Sequence, residues 1–252
     1  MGSYFQALNN TKISWGHDEF LYRVLLENKH TLPEEALYII RFHDQFDTDY
    51  FLQNNKKYLS RKDIKMKQLI KNYSDANLTT RKDVFFSLCK SIIGQQISVA
   101  AANSVFLKFK KKCKGKIKPK NVNCLKFHDL KKCGLSKQKA KGIRELSKKF
   151  LDKSFNPSLI NKMNDEEAIE YLSQLRQIGR WSAEMILLFT FNRSNIWPIQ
   201  DIGLLRAISK NFNKKYLPPQ KFVSSLQKKY SPYCSVATWY LWRSIDNDPI
   251  QY

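Results

Sequence analysis

Residues 165–211 constrain the fold more than any other stretch of the chain. Apolar residues at helical spacing run over 165–174, break at the turn Leu175-Arg176-Gln177-Ile178-Gly179-Arg180, and resume as an apolar helix over 181–192. So short a turn between two helices makes them close neighbours at an αα corner. Further on, Asp201 stands among Ile196, Trp197, Pro198, Ile199, Ile202, Leu204 and Leu205. An Asp just after a Pro commonly starts a helix, and 201–211 reads as one.

The same periodicity dominates elsewhere, and no convincing alternating strand pattern occurs, so the expected class is mostly α. Helices are expected at 18–28 and 33–42, the second with Pro33 in its first turn and Glu34 and Glu35 favouring that end. Two polar, basic helices follow at 47–59 and 61–72. Over 82–112 the pattern from Val84 to Phe109 gives two buried helices, interrupted by Gly94 and the QQIS segment. Ser136 caps a helix over 136–151, and Asn164 or Asp165 caps the next. Helices at about 218–229 and 233–245 complete the chain. The run 108–120 carries eight lysines in thirteen positions and reads as a solvated loop, or alternatively as a track along a phosphate backbone.

Charge supplies the second constraint. The 252 residues hold 44 Lys+Arg against 22 Asp+Glu, a formal net charge of +22 that points to a polyanionic partner. Residues 1–50 run the other way, with eight acidic and four basic residues. That shift marks a boundary near residue 50, giving an N-terminal helical fragment, 1–46, and a basic domain, 47–252. The five cysteines show no CxxC pair or clustered set of four, so neither zinc nor an iron–sulfur cluster is encoded. No apolar run reaches membrane-spanning length and no secretory signal opens the chain, so no membrane association is expected and a cytoplasmic, nucleoid-associated monomer is.

A helix start exposes unpaired N–H groups and the positive end of the helix dipole, which together hold a phosphate without sequence preference. At the 175–180 turn, Gly179 allows a positive φ and close approach of a ligand, while Arg180 and Ser182 can contact phosphate directly. A carboxylate in apolar surroundings, as at Asp201, suits the stabilisation of a developing cation. Glu184 is the one other nearby carboxylate candidate. The two features together indicate an enzyme that holds nucleic acid and attacks a base–sugar bond. An ordinary αα corner and a simple helix cap account for each feature taken singly.

Residues from about 50 to 245 resemble the helix–hairpin–helix DNA glycosylases, and within them the 3-methyladenine DNA glycosylase II branch. The segments that carry the likeness are SIIGQQISVAAAN (91–103), CGLSKQKAKGIREL (133–146), LRQIGRWSAE (175–184), WPIQDIGLLRA (197–207) and YCSVATWYLW (233–242). The resemblance implies a two-lobed helical fold, duplex DNA containing damaged bases as partner, and hydrolytic excision of alkylated purines without a redox cofactor. A structural cation at the hairpin stays open by family analogy, and the residues themselves assign no metal and no cofactor. It makes Asp201 the catalytic aspartate. It puts Trp181, Trp242 and Gln95 in the substrate pocket, Trp181 standing where lyase-active relatives carry a Schiff-base lysine. Gln96 matches the residue that wedges into the gap left by the extruded nucleotide, and Ile178, Gly179, Arg180 and Ser182 fall on the DNA-binding hairpin. The family hairpin usually has Pro-Gly where Arg176-Gln177 stands here, so a positive φ at position 177 has to be borne by Gln. Uracil or mismatch specificity on the same fold, and a noncatalytic DNA-binding role, stay open as alternatives.

Residues 13–43 resemble a different family, myo-inositol oxygenase, an all-helical di-iron enzyme. His17 and His43 match two of its iron ligands. The family uses six, including a His-Asp pair and a further Asp outside this stretch, and His30 and His128 do not fall in its pattern. Two histidines do not make a di-iron site. The expectation is a fused remnant without oxygenase activity.

Overall fold

The computed structural model describes residues 48–74 and 83–245. The chain divides into two units, Met1–Lys57 and Tyr58–Tyr252. The expected helices at 18–28 and 33–42, and the histidines at 17, 30 and 43, lie outside the described residues.

Among the described residues the structure is helical, without strands. Helix α1 spans Thr48–Lys62, α2 Ile64–Asn72, α3 Val84–Gly94 and α4 Val99–Lys112. Two short helices, α5 (Pro119–Asn123) and α6 (Phe127–Lys132), precede α7 (Lys137–Leu151). A 3₁₀ helix over Pro157–Lys162 leads to α8 (Asp165–Ser173) and α9 (Arg180–Phe189). The chain ends through α10 (Ile202–Asn211), α11 (Gln220–Tyr230) and α12 (Cys234–Arg243).

Local chemistry fixes these boundaries. The carboxylate of Asp63 accepts from the N–H groups of Lys65 and Met66 to cap α2, and Asp83, Ser98 and Ser136 cap α3, α4 and α7 in the same way. Asn164 and Glu167 form a reciprocal capping box at the start of α8. Each such cap stabilises its helix by about 1 kcal/mol. Lys108–Lys112 close α4, inside the helices expected over 82–112, and all eight lysines of 108–120 point outward as in a solvated run; the loop reading missed only that Phe109, Cys113 and Ile117 are buried. A four-residue apolar repeat, hidden among the lysines, turns that segment into the wall of the core.

Packing forms two clusters within the second unit. In one, α3 packs on α4, α7 and α9; α7 also covers α5 and α6, and α8 pairs with α9. In the other, α12 packs on α2, α10 and α11. Helices α9 and α12 are central to their clusters. Every residue from Ser182 to Phe189, and from Cys234 to Trp242, is buried, the pattern of a helix surrounded on all sides. The loop from α9 to α10 is held between the clusters. Arg193 donates to the carbonyls of Ile160 and Met163, and Ser235 Oγ accepts from the N–H of Ile196.

Candidate active site and nucleic-acid interface

Asp201 sits where the two clusters meet, half-buried, as the N-cap of α10. Its Oδ1 accepts from the N–H of Leu204 at 2.6 Å and from Trp242 Nε1 on α12 at 2.7 Å. Its Oδ2 accepts from Trp181 Nε1, in the first turn of α9, at 2.8 Å. The carboxylate is thus held by a helix cap and by two indoles, each from a different central helix. Gly203 leaves room for this arrangement: a Cβ there would lie 3.0 Å from Asp201 Oδ1 and 3.3 Å from the Trp242 ring.

The tryptophans therefore meet Asp201 through their N–H edges, a role that sequence spacing did not reveal. Trp242 is only 6% exposed, and Phe189 stacks on it with centroids 6.1 Å apart and planes 14° from parallel. Trp181 is half-buried. The mixed polar and aromatic surround suits a cation brought close to the carboxylate, because an anion already oriented by fixed donors does not have to reorganise when positive charge develops.

The turn before α9 departs from expectation at Gly179. Its φ is −93° and ψ 177°, extended backbone that any residue adopts, so the positive φ expected there is absent. The left-handed residue is Gln177, at φ +70°, a strain of roughly 1 kcal/mol for a non-glycine residue. What Gly179 provides is space: a Cβ at this position would meet nothing within 4 Å, and no side chain caps α9.

The side chains expected to face phosphate turn elsewhere. Ile178 is buried, and its N–H donates to the carbonyl of Leu175 at 3.0 Å. Ser182 is buried, its hydroxyl accepting from Gln95 Nε2 at 3.2 Å. Arg180 makes a bidentate pair with Glu166 at 2.6 and 2.8 Å and reaches Glu184 at 3.1 Å, tying α8 to α9. Arg176 donates to Gln138 Oε1 at 2.7 Å. The anion-holding capacity of this corner lies in the start of α9 itself, with its dipole and first-turn N–H groups.

Glu184 is 3% exposed, and burial pushes its carboxyl up to about 7, with Glu166 and Asp201 adding to the rise and Arg180 opposing it. It is the second carboxylate of the region, but it faces Arg180 as part of the α8–α9 ion network.

Gln95 and Gln96 occupy the turn between α3 and α4. Gln96 is exposed at φ +57°, projecting from the surface. Gln95 points inward, donating from Nε2 to the carbonyl of Gln177 at 2.7 Å as well as to Ser182. Its expected place in the substrate pocket becomes a contact with the hairpin turn. Beyond the hairpin, Lys137, Lys141, Arg144 and Lys148 on one side of α7 join Arg176 and Phe127 around an open cleft of about 420 Å³, with Glu145 the one acid in its lining. Sequence reading passed over Lys139 and Gly203. An isolated glycine inside a helical pattern was the available signal for Gly203; nothing in the spacing marked Lys139.

Among the described residues no group of three or more His, Cys, Asp and Glu side chains is arranged to hold a metal, and no helix is long and apolar enough to cross a membrane.

Comparison with known proteins joins these features to a family. The profile of the HhH-GPD superfamily base excision DNA repair proteins matches residues 89–232. An alkylbase DNA glycosidase-like protein of Schizosaccharomyces pombe is 32% identical over 203 residues, covering 78% of this chain and 94% of that protein. The solved structure of a 3-methyladenine DNA glycosylase from the same organism, in complex with abasic DNA, superposes with a TM-score of 0.66 at 25% identity, covering 76% of this chain and 96% of that one. The myo-inositol oxygenase profile matches residues 1–90. An inositol oxygenase of Danio rerio is 42% identical over 78 residues, and this chain spans only 27% of its length.

Proposed function

The chain belongs to the HhH-GPD superfamily of base excision DNA repair proteins, and from that premise we propose that it is a monofunctional glycosylase excising alkylated purines, of the 3-methyladenine type, from duplex DNA. The observation that carries this reading is the Asp201 carboxylate, fixed by three N–H donors at the junction of the two helical clusters.

Duplex DNA is gripped by backbone phosphate at the start of α9, and the basic cleft along α7 adds sequence-independent attraction. The damaged nucleotide leaves the stack, which costs a few kcal/mol and costs least when the base stacks poorly. Gln96, exposed at its turn, fills the vacated space. As the C1′–N bond breaks, its electron pair departs with the base and positive charge develops on the sugar, as in glycoside hydrolysis. Asp201 stabilises that charge, and a water that adds to C1′ passes its proton to the Asp201 carboxylate, which returns it to solvent.

A purine alkylated at N3 or N7 is already cationic and leaves as a neutral base without protonation. That agrees with a site in which Glu184 is engaged by Arg180 and not aimed outward. Trp181 occupies the Schiff-base position with an indole bonded to Asp201, which supports base release without strand cleavage.

Base release from duplexes each carrying one lesion tests the reading. N3-methyladenine and N7-methylguanine should be released, and strands should break only after alkali. Release of uracil or 8-oxoguanine alone, or breaks before alkali, would contradict it.

A further inference from the structure

Two turns face DNA in the proposed function, the 94–98 turn bearing Gln96 and the 176–182 turn opening α9, and they belong to segments about eighty residues apart. Helix α7 touches both. Lys139 Nζ donates to the carbonyls of Ile93 at 2.9 Å and Gln95 at 2.5 Å, closing the end of α3. Three residues along the same helical face, Gly142 lies so close to the hairpin that a Cβ would stand 2.9 Å from Gln177 Cγ and 3.3 Å from the carbonyl oxygen of Arg176. Gln138 accepts from Arg176 beside them. The third side of the triangle is Gln95 itself, whose Nε2 bonds the Gln177 carbonyl and the Ser182 hydroxyl. Each turn holds a non-glycine residue at positive φ, Gln96 at +57° and Gln177 at +70°, and such residues persist where surrounding contacts over-determine them.

We propose that Lys139 and Gln95 are positioning residues that brace the Gln96 turn against the hairpin turn, so that phosphate gripping and filling of the vacated stack occur in one fixed register. The proposal rests on the glycosylase reading for its consequence in catalysis, but the brace is a property of the free protein. Lys139 acts through the main chain of its neighbours: its half-buried ammonium gathers the two carbonyls left open at the end of α3. Gln95 carries the constraint across, because its amide is the direct bond between the two turns. Loss of either end leaves the hairpin able to hold DNA but lets Gln96 drift relative to it.

The test uses the full chain with Lys139→Met, Lys139→Arg and Gln95→Leu. In the free proteins, hydrogen exchange is followed at amides 94–98 and 176–182. Lys139→Met and Gln95→Leu should lose protection in both segments together, and Lys139→Arg should keep it. On an N3-methyladenine duplex, the first two variants should lose 10- to 30-fold in single-turnover rate at saturating enzyme while affinity for an undamaged duplex changes less than threefold. Lys139→Arg should recover most of the rate. Exchange confined to 94–98, or equal losses of rate and affinity, would overturn the brace. If Lys139→Met does not fold, Gln95→Leu decides alone. If the wild type releases no base from any lesion, the functional reading fails while the exchange result still decides this proposal.

Discussion

The starts of α9 and α10 are the same structural feature put to opposite use. Both are helix N-termini preceded by an extended residue, Gly179 at φ −93° and Asp201 at φ −74°. At α10 the protein supplies its own anion: Asp201 closes the helix end and keeps a second oxygen, bonded to Trp181, at the junction of the clusters. At α9 no side chain caps the helix, and the space beside Gly179 is open. One helix end is left for an anion from outside and the other is closed by an anion that can serve a cation. In the proposed function, local sequence chemistry, Gly in one place and Asp in the other, separates gripping from catalysis.

Exchanging charge or space between the two ends should break that division. The largest effect is expected from Asp201→Asn. Asn keeps the helix cap through its one oxygen, but its NH2 group then faces the Trp181 N–H, donor against donor. Stability should therefore fall by about 1 kcal/mol, while single-turnover excision should fall by roughly 10²–10³-fold. Next is Gly179→Asp, which gives α9 a cap of its own. The backbone there accepts a side chain, so stability should rise by roughly a few tenths of a kcal/mol, yet duplex affinity should drop by roughly 30-fold, an N-terminal charge effect near 2 kcal/mol. Calorimetry and fluorescence anisotropy on the same variant would show the two moving in opposite directions.

Gly203→Ala sharpens the α10 side. Ala improves a helix interior by up to about 1 kcal/mol, but its methyl group presses on Asp201 Oδ1 and Trp242. Excision should slow by roughly tenfold as the carboxylate shifts, with no loss of melting temperature. The smallest effect concerns Glu184, on the α9 side. Burial holds its carboxyl near 7 against an ordinary 4.5, so the folded state keeps a proton the unfolded chain releases. Stability from this group is greatest below pH 4.5 and declines as pH rises towards 7. Glu184→Gln cannot ionise and still accepts from Arg180. It should therefore match the wild type near pH 4.5 and melt at a higher temperature than the wild type at pH 8, by several degrees. Equal melting temperatures at pH 8 would show that Glu184 is not buried as described.

Much of the helical framework was legible in the sequence because capping residues and apolar spacing coincide. Ser136, Asn164 and Asp201 start helices where expected, and the turn at 175–180 separates α8 from α9. Helices α5 and α6, five and six residues long, are too short to show a period. Lysines masked the buried repeat at Phe109, Cys113 and Ile117.

At the candidate site, Asp201 was readable from its own neighbourhood. The indoles that hold it stand 20 and 41 residues away, and no local pattern records which edge of a ring faces a carboxylate. Gly179 was misjudged for a related reason. A glycine advertises conformational freedom, but here the strained position is Gln177 and the glycine supplies room. Arg180 and Ser182 looked like phosphate ligands because Glu166 and Gln95, which engage them, come from other elements; only Glu184, four residues on in α9 itself, was within local reach of Arg180.

The division of labour between the two helix ends is tested most directly by measuring, for Asp201→Asn and Gly179→Asp side by side, both affinity for an abasic duplex and single-turnover release of N3-methyladenine at saturating enzyme. The expected result is crossed: Asp201→Asn binds within about threefold of wild type and barely excises, while Gly179→Asp binds weakly and excises at close to the wild-type rate once saturated. Rate and affinity falling together in both variants, or full excision by Asp201→Asn, would contradict it.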